Sequence, residues 1–287
     1  MRLPALPARG ETVTGGRFLQ AFGGKGANSV VAAARLGSPT TAAGFVARLG
    51  NDAQAESMLA AFGRDGIGVE HVTRDPEMPS GAALVMVGDA GDNYLAVAPG
   101  SNHRLMPEHV DAAREMIADS AVLLTQMEVP AETVRHAIEL AAAAGVTVIL
   151  NFAPTVEADL DWDKVDVLVV NETEAEQLGR GATLEASAVA LLGRGVGRVV
   201  ITLGADGVLI VEERGVTRVE AFEVKAVDTT AAGDTFCGAL AVRMAEGSVL
   251  EEACRWAQAA AALCVTGLGA QPSIPTRSEV ERWLQSR

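Results

Sequence analysis

The sequence predicts an α/β fold built on a mostly parallel central sheet with helices on both faces. Three observations carry this. The runs 121–126 (AVLLTQ), 147–150 (TVIL), 165–170 (VDVLVV) and 198–203 (RVVITL) are short and almost continuously apolar, the pattern of strands buried on both faces. Helical segments at 131–144, 172–178 and 185–193 separate them, the order of parallel strands joined by crossovers. The chain has 287 residues, 49% of them apolar, enough for one large α/β domain and its core.

Taken in order, residues 1–10 carry two prolines, Pro4 and Pro7, and predict no regular element. Glu11 to Phe22 alternates loosely and reads as extended or hairpin structure. Gly23-Gly24-Lys25-Gly26-Ala27-Asn28 then runs into a helix closed by Gly37; it lacks the spacing of a Walker A loop. Residues 40–50 give a strand, Asp52 to Phe62 a helix, and 68–72 another strand. Gly81 to Val87 and Asn93 to Ala98 flank a turn at 88–92, the outline of a β-hairpin. Residues 107–118 predict one amphipathic helix. Ligands of such sheets bind beyond the carboxyl ends of the strands, which singles out Glu128, Asn151, Asn171 and Thr202.

The chemistry concentrates in DTTAAGDTF, Asp228 to Phe236. Hydroxyl-bearing and small residues lead into a helical pattern of Phe236, Leu240 and Met244, stopped by Gly247. The first amides of a helix lack intrahelical partners and sit at the positive end of its dipole. Small side chains let a phosphate approach them. Asp234 beside such a turn suits a base that orients a hydroxyl for phosphoryl transfer. Asp and Thr at a helix start also serve as plain caps, and the residues alone leave both readings open. The last long helix, 250–265, is alanine-rich and should pack closely.

Composition removes other classes. A net charge of −14 argues against nucleic acid and anionic membrane as partners. No apolar run reaches the ~18 residues of a membrane span, and the early prolines spoil a signal-peptide core. Cys237, Cys254 and Cys264 lie in apolar helical context and read as buried thiols of a reducing compartment, so a cytoplasmic protein is expected. Four scattered histidines offer no zinc-ligand spacing.

GGKGAN and DTTAAGDTF, in this order and 200 residues apart, resemble the two signatures of the ribokinase-like (PfkB) carbohydrate kinase family. The similarity runs from Pro4 to about Pro275 and takes in QMEVP, NFAP, the NxxE of Asn171 and Glu174, TLGADG and GAQPSIP. It implies a ribokinase-like three-layer sandwich in one domain, 1–287, with a small β lid from about 1–22 and 81–98. It also implies ATP-dependent phosphorylation of a sugar, D-ribose to D-ribose 5-phosphate. The alternatives are another sugar, a nucleoside, or a non-catalytic sugar- or nucleotide-binding member.

Roles follow by resemblance. Asp234 is the base, and the amides of Ala231, Ala232 and Gly233 form the anion hole. Gly24, Lys25, Gly26, Ala27, Asn28 and Glu128, with Asp234, hold the sugar. Asn171, Thr202, Gly204, Gly207, Gly233 and Gln258 hold the nucleotide. Glu174 holds Mg²⁺ through water, as suits an ion that dehydrates reluctantly. Asp228, Thr230, Cys264, Gly267, Gly269 and Ser273 surround K⁺, mostly through backbone oxygens. A homodimer through the lid is implied too. Residues 1–15 resemble the family segment that follows its first core strand. The strand carrying Gly-Ser-x-Asn-x-Asp has no counterpart, so the resemblance implies a functional chain longer at the N-terminus by roughly one strand and its turn.

Overall fold

The computed structural model describes residues 1–3, 5–88 and 93–287. The chain opens with β1 (Arg2–Leu3), α1 (Lys25–Leu36), β2 (Ala47–Gly50), α2 (Ala53–Arg64) and β3 (Val72–Asp75). Next come β4 (Ala82–Gly88), β5 (Asn93–Ala98), α3 (Pro107–Ala112) and α4 (Arg114–Ala118). The alternating region comprises β6 (Val122–Gln126), α5 (Ala131–Ala143), β7 (Thr147–Asn151), β8 (Val167–Asn171), α6 (Glu172–Gly179), α7 (Leu184–Leu192) and β9 (Val199–Thr202). The chain ends with β10 (Val208–Glu212), β11 (Gly215–Val219), α8 (Ala232–Ala245), α9 (Leu250–Cys264) and α10 (Arg277–Gln285).

The main sheet has the order β11-β10-β9-β8-β7-β6. Strands β6 to β9 run parallel, and β10 is antiparallel to both of its neighbours. The pleat sends alternate residues to opposite faces. Ile149, Val167, Val169 and Val200 join one core with α1, α8 and α9, while Val148, Leu150, Leu168 and Ile201 join the other with α3, α5 and α7. Both faces are covered, which is why the strands read as unbroken apolar runs. Strand β6 is the exception: it ends the sheet, and all five of its residues are only half-buried.

Two smaller sheets complete the fold. Strands β2 and β3 pair in parallel, and β1-β4-β5 forms a third sheet in which β4 and β5 are antiparallel. Asp75, its side chain fully buried, accepts hydrogen bonds from Met78 N, Glu77 N and Arg48 Nε, each at 2.9 Å. These bonds, the Met78 amide foremost, hold its carboxyl well below the usual range. They fix the chain just before it crosses into β4.

Several expectations need correction. Residues 11–22 form no hairpin; Gly15 and Gly16 interrupt the segment and leave no alternation strong enough to pair. The expected strand at 68–72 begins only at Val72, and the one at 40–50 is confined to Ala47–Gly50. The helix at 107–118 breaks at Ala113 into two short ones. Of the turn at 88–92, residues 89–92 lie outside those described, as does Pro4.

Helices α1 and α8 cross closely at Gly238. A β-carbon there would stand 2.5 Å from the Ser29 carbonyl oxygen and 2.7 Å from the Ala32 β-carbon. This approach brings the start of α1, with Lys25 and Asn28, against the start of α8, with Asp234.

Candidate active site

Ala231 caps α8 in the left-handed region, at φ 64° and ψ 8°. That turn swings the chain so that the first amides of α8 face outward. Thr235 N donates to Ala231 O at 2.8 Å and Ala232 N to Thr229 O at 3.2 Å. Among the described residues the amides of Ala231, Gly233 and Asp234 have no acceptor. Ala232 thus corrects the expected anion hole, because its N–H already has a partner. A β-carbon on Gly233 would meet nothing within 4 Å, which leaves room for an anion at the helix start.

Asp234 is 7% exposed, and its Oδ2 accepts a hydrogen bond from Asn28 Nδ2 at 2.8 Å. Burial pushes its carboxyl up, against the opposing pull of the Asn28 bond and the Lys25 charge. A carboxyl raised in this way takes up a proton more readily than an exposed one, a property suited to a general base. Asn28 is 4% exposed, and its Oδ1 is sealed from solvent with no partner. A buried acceptor left open in this way fits a ligand hydroxyl.

Lys25 N donates to Glu128 Oε2 at 2.8 Å, so the loop after β6 grips the first turn of α1. Gly24, at φ 93°, precedes that turn, and its missing side chain keeps the backbone beside Glu128. Gly26 faces the Phe45 ring and Gln126 Nε2, with room for no more than a close β-carbon contact. The Ala27 methyl packs in the core, so its backbone is the part left for a sugar. The residue that sequence reasoning missed is Gln126, whose Oε1 accepts from Glu128 N and shapes the loop that reaches Lys25. Its position at the carboxyl end of a parallel strand was the available signal.

The carboxyl ends of the strands line up across the sheet, Gln126 beside Asn151 and Asn171 beside Thr202. Asn171 and Glu174 form a reciprocal capping box: Glu174 N donates to Asn171 Oδ1 and Asn171 N to Glu174 Oε2, both at 2.8 Å. One oxygen of Glu174 remains, half-buried, with its carboxyl raised by burial and drawn down by Lys25. Lys25 therefore lies within electrostatic reach of both Glu174 and Asp234. Gly204 has φ 55° and open space in front of it. Gly207 differs, since a β-carbon there would collide with the Val219 carbonyl; its glycine is demanded by the turn into β10. Gln258 is buried in α9, its Oε1 without a partner.

The loops expected around K⁺ do come together. Val227 N and Asp228 N donate to Val265 O, and Gly269 N donates to Asp228 Oδ2 at 3.0 Å. Thr230 N and Oγ1 bond the other oxygen of Asp228. Burial works against ionisation of Asp228, but these bonds outweigh it and hold the carboxyl low. Cys264 Sγ touches Thr235 Oγ1, Ser273 Oγ and the Thr230 carbonyl. Gly267 has the Ser273 side chain where its own would be. Among the described residues no three His, Cys, Asp or Glu side chains cluster as a metal site. A divalent ion here would rest on Glu174 and on the phosphates it accompanies. Cys237 and Cys254 are buried thiols pushed up by desolvation, which keeps them neutral and inert.

Comparison with known proteins decides the family. The pattern of the pfkB family carbohydrate kinases matches residues 2–277. The chain belongs to the pfkB family. It is 40% identical to the ribokinase of Haemophilus influenzae over 290 aligned residues, covering 99% of this chain and 94% of that one. It is 35% identical to the deoxyribokinase of Salmonella typhi, covering 97% and 92%. Among solved structures, the Arabidopsis thaliana ribokinase complexed with ribose and ATP superimposes with a TM-score of 0.91 at 32% identity, covering 99% of this chain and 94% of that one. The pfkB kinases account for both the α/β fold and the two signature turns that meet at Asp234. No helix among the described residues is long and apolar enough to cross a membrane.

Proposed function

We propose that this pfkB kinase transfers the γ-phosphoryl group of ATP to the 5-hydroxyl of D-ribose, giving D-ribose 5-phosphate. One observation carries the reading: a buried carboxylate, Asp234, stands beside partnerless amides at the start of α8, in a chain 40% identical to a ribokinase over nearly its whole length. Asp234 accepts the hydroxyl proton as the oxygen attacks. The amides of Gly233, Asp234 and Ala231 stabilise charge on the transferring group, the effect expected of preorganised donors in a site of low dielectric. Asn28, Glu128 and the backbone of Gly24 to Ala27 hold the sugar. Asn171, Thr202, Gly204 and Gln258 lie on the nucleotide side, and Gly207 shapes its turn. Glu174 would hold Mg²⁺ through water, and the ion would supply neutralisation of phosphate charge.

A second reading, phosphorylation of 2-deoxyribose, is favoured by the identity to deoxyribokinase. ADP release measured with ribose, deoxyribose, fructose and adenosine separates the two. Ribose with the highest kcat/KM supports the proposal, and no turnover with any of them removes it.

Three finer assignments belong to the same reading. Asp228 and the backbone oxygens of the loops at 228–230 and 264–273 would hold K⁺, which would order the anion hole; the hydrogen bonds that tie these loops together support this. The β1-β4-β5 sheet acts as a lid within a single domain. One of its faces meets the same sheet of a second copy, because both faces are apolar and open: Val85, Leu95 and Val97 on one, Leu84 and Tyr94 on the other, each 44–68% exposed. A cytoplasmic location goes with ATP as donor and with three free buried thiols.

A further inference from the structure

We propose that Asn28 is a positioning residue for the base: its side-chain amide holds one carboxylate oxygen of Asp234 and so aims the other at the hydroxyl to be phosphorylated. The proposal rests on the reading of Asp234 as that base. The two residues lie 206 positions apart, on α1 and α8, and meet at 2.8 Å in a buried environment. No other described side chain bonds the Asp234 carboxylate. Its Oδ1 has no partner and, unlike Asn28 Oδ1, is not sealed from solvent. A carboxylate fixed at one oxygen has lost the rotation that would otherwise carry the second away from its target, and an oriented base is worth far more than a mobile one.

The choice of asparagine matters. It donates a hydrogen bond without a full charge, so the carboxylate is oriented but not neutralised as a salt bridge would neutralise it. The charged and titratable groups around Asp234 are Lys25 on α1, Glu128 after β6 and the neutral Cys237 on α8, with Glu174 beyond Lys25. None of them makes a direct bond to it.

The test is the pH profile of kcat/KM for wild type, Asn28→Ala and Asn28→Asp, with circular dichroism and nucleotide affinity as checks on folding. The base works when ionised. Losing the donor makes ionisation harder, so the acid limb should move to higher pH in Asn28→Ala, with plateau kcat at least ~10-fold lower. Asn28→Asp sets a second carboxylate beside the first, and the pair then shares a proton. Its acid limb should move further, by about one pH unit or more. If Asn28→Asp folds poorly, Asn28→Ala alone decides. An unmoved limb in folded variants, with only the sugar KM raised, overturns the proposal and leaves Asn28 a sugar ligand. A wild type that phosphorylates no sugar instead overturns the base reading beneath it.

Discussion

At the scale of single residues, Asp234 trades stability for reactivity. Burial raises its pKa above the unfolded value. A carboxyl raised in this way favours the fold at low pH, and that contribution is lost as pH rises through the folded-state value. Above that value the ionised group weighs against the fold. Asp234→Asn should lower kcat by ~10²–10⁴-fold, keep nucleotide affinity, and raise the Tm of the unliganded protein by about 2 °C, roughly what 1 kcal/mol is worth in a large domain. Calorimetry and a nucleotide titration check this; near-normal turnover would take Asp234 out of the base role. Ala231 makes the second case. At φ 64° it holds a conformation that glycine adopts freely and a β-branched residue resists. Ala231→Gly should leave Tm within ~1 °C and activity intact, while Ala231→Val should destabilise by ~1–3 kcal/mol and disrupt the anion hole. DTTAAGDTF was legible as a helix start because small and hydroxyl-bearing residues cluster there. That Ala232 already has a partner, and that Ala27 turns inward, depends on the handedness of one turn and the rotation of one helix, which spacing does not encode.

At the scale of elements, the site is made by the contact of α1 and α8. Gly238 sets that contact. Gly238→Ala gains helix propensity of about 1 kcal/mol but forces the helices apart where backbone and Ala32 leave no space. Overpacking of this kind costs ~1–3 kcal/mol, and separating Asn28 from Asp234 should also lower kcat. A variant as stable and as active as wild type would contradict the role given to the crossing. Asp75 acts at the other end, where the chain leaves β3. Its depressed pKa contributes stability that is full above the ordinary value of 3.8 and is lost as pH falls below it. The Tm difference between wild type and Asp75→Asn should therefore narrow from pH 7 to pH 3; a constant difference would mean that packing, not charge, holds the loop. The parallel strands were readable because burial on both faces erases alternation. The region 11–22 was not, because its loose alternation is interrupted by Gly15 and Gly16 and specifies no partner.

At the scale of the whole molecule, the sheet is uneven. Strands β7 and β8 are buried, while β6 ends the sheet half-buried and pairs with β7 alone among the described strands. Alternate amides of β6 face this open edge, and such edges invite exchange and association. Hydrogen exchange should be faster at 122, 124 and 126 than in β7, and equal protection would show that the edge is covered. The central claim is that Asp234, at the start of α8, serves ATP-dependent phosphorylation of ribose at its 5-hydroxyl. The most direct measurement is ³¹P and ¹H NMR of the product formed from D-ribose and Mg·ATP by wild type and by Asp234→Asn. The account predicts phosphate on the 5-oxygen with wild type and almost no product with the variant. Phosphate on another oxygen, or equal product from both proteins, would contradict it.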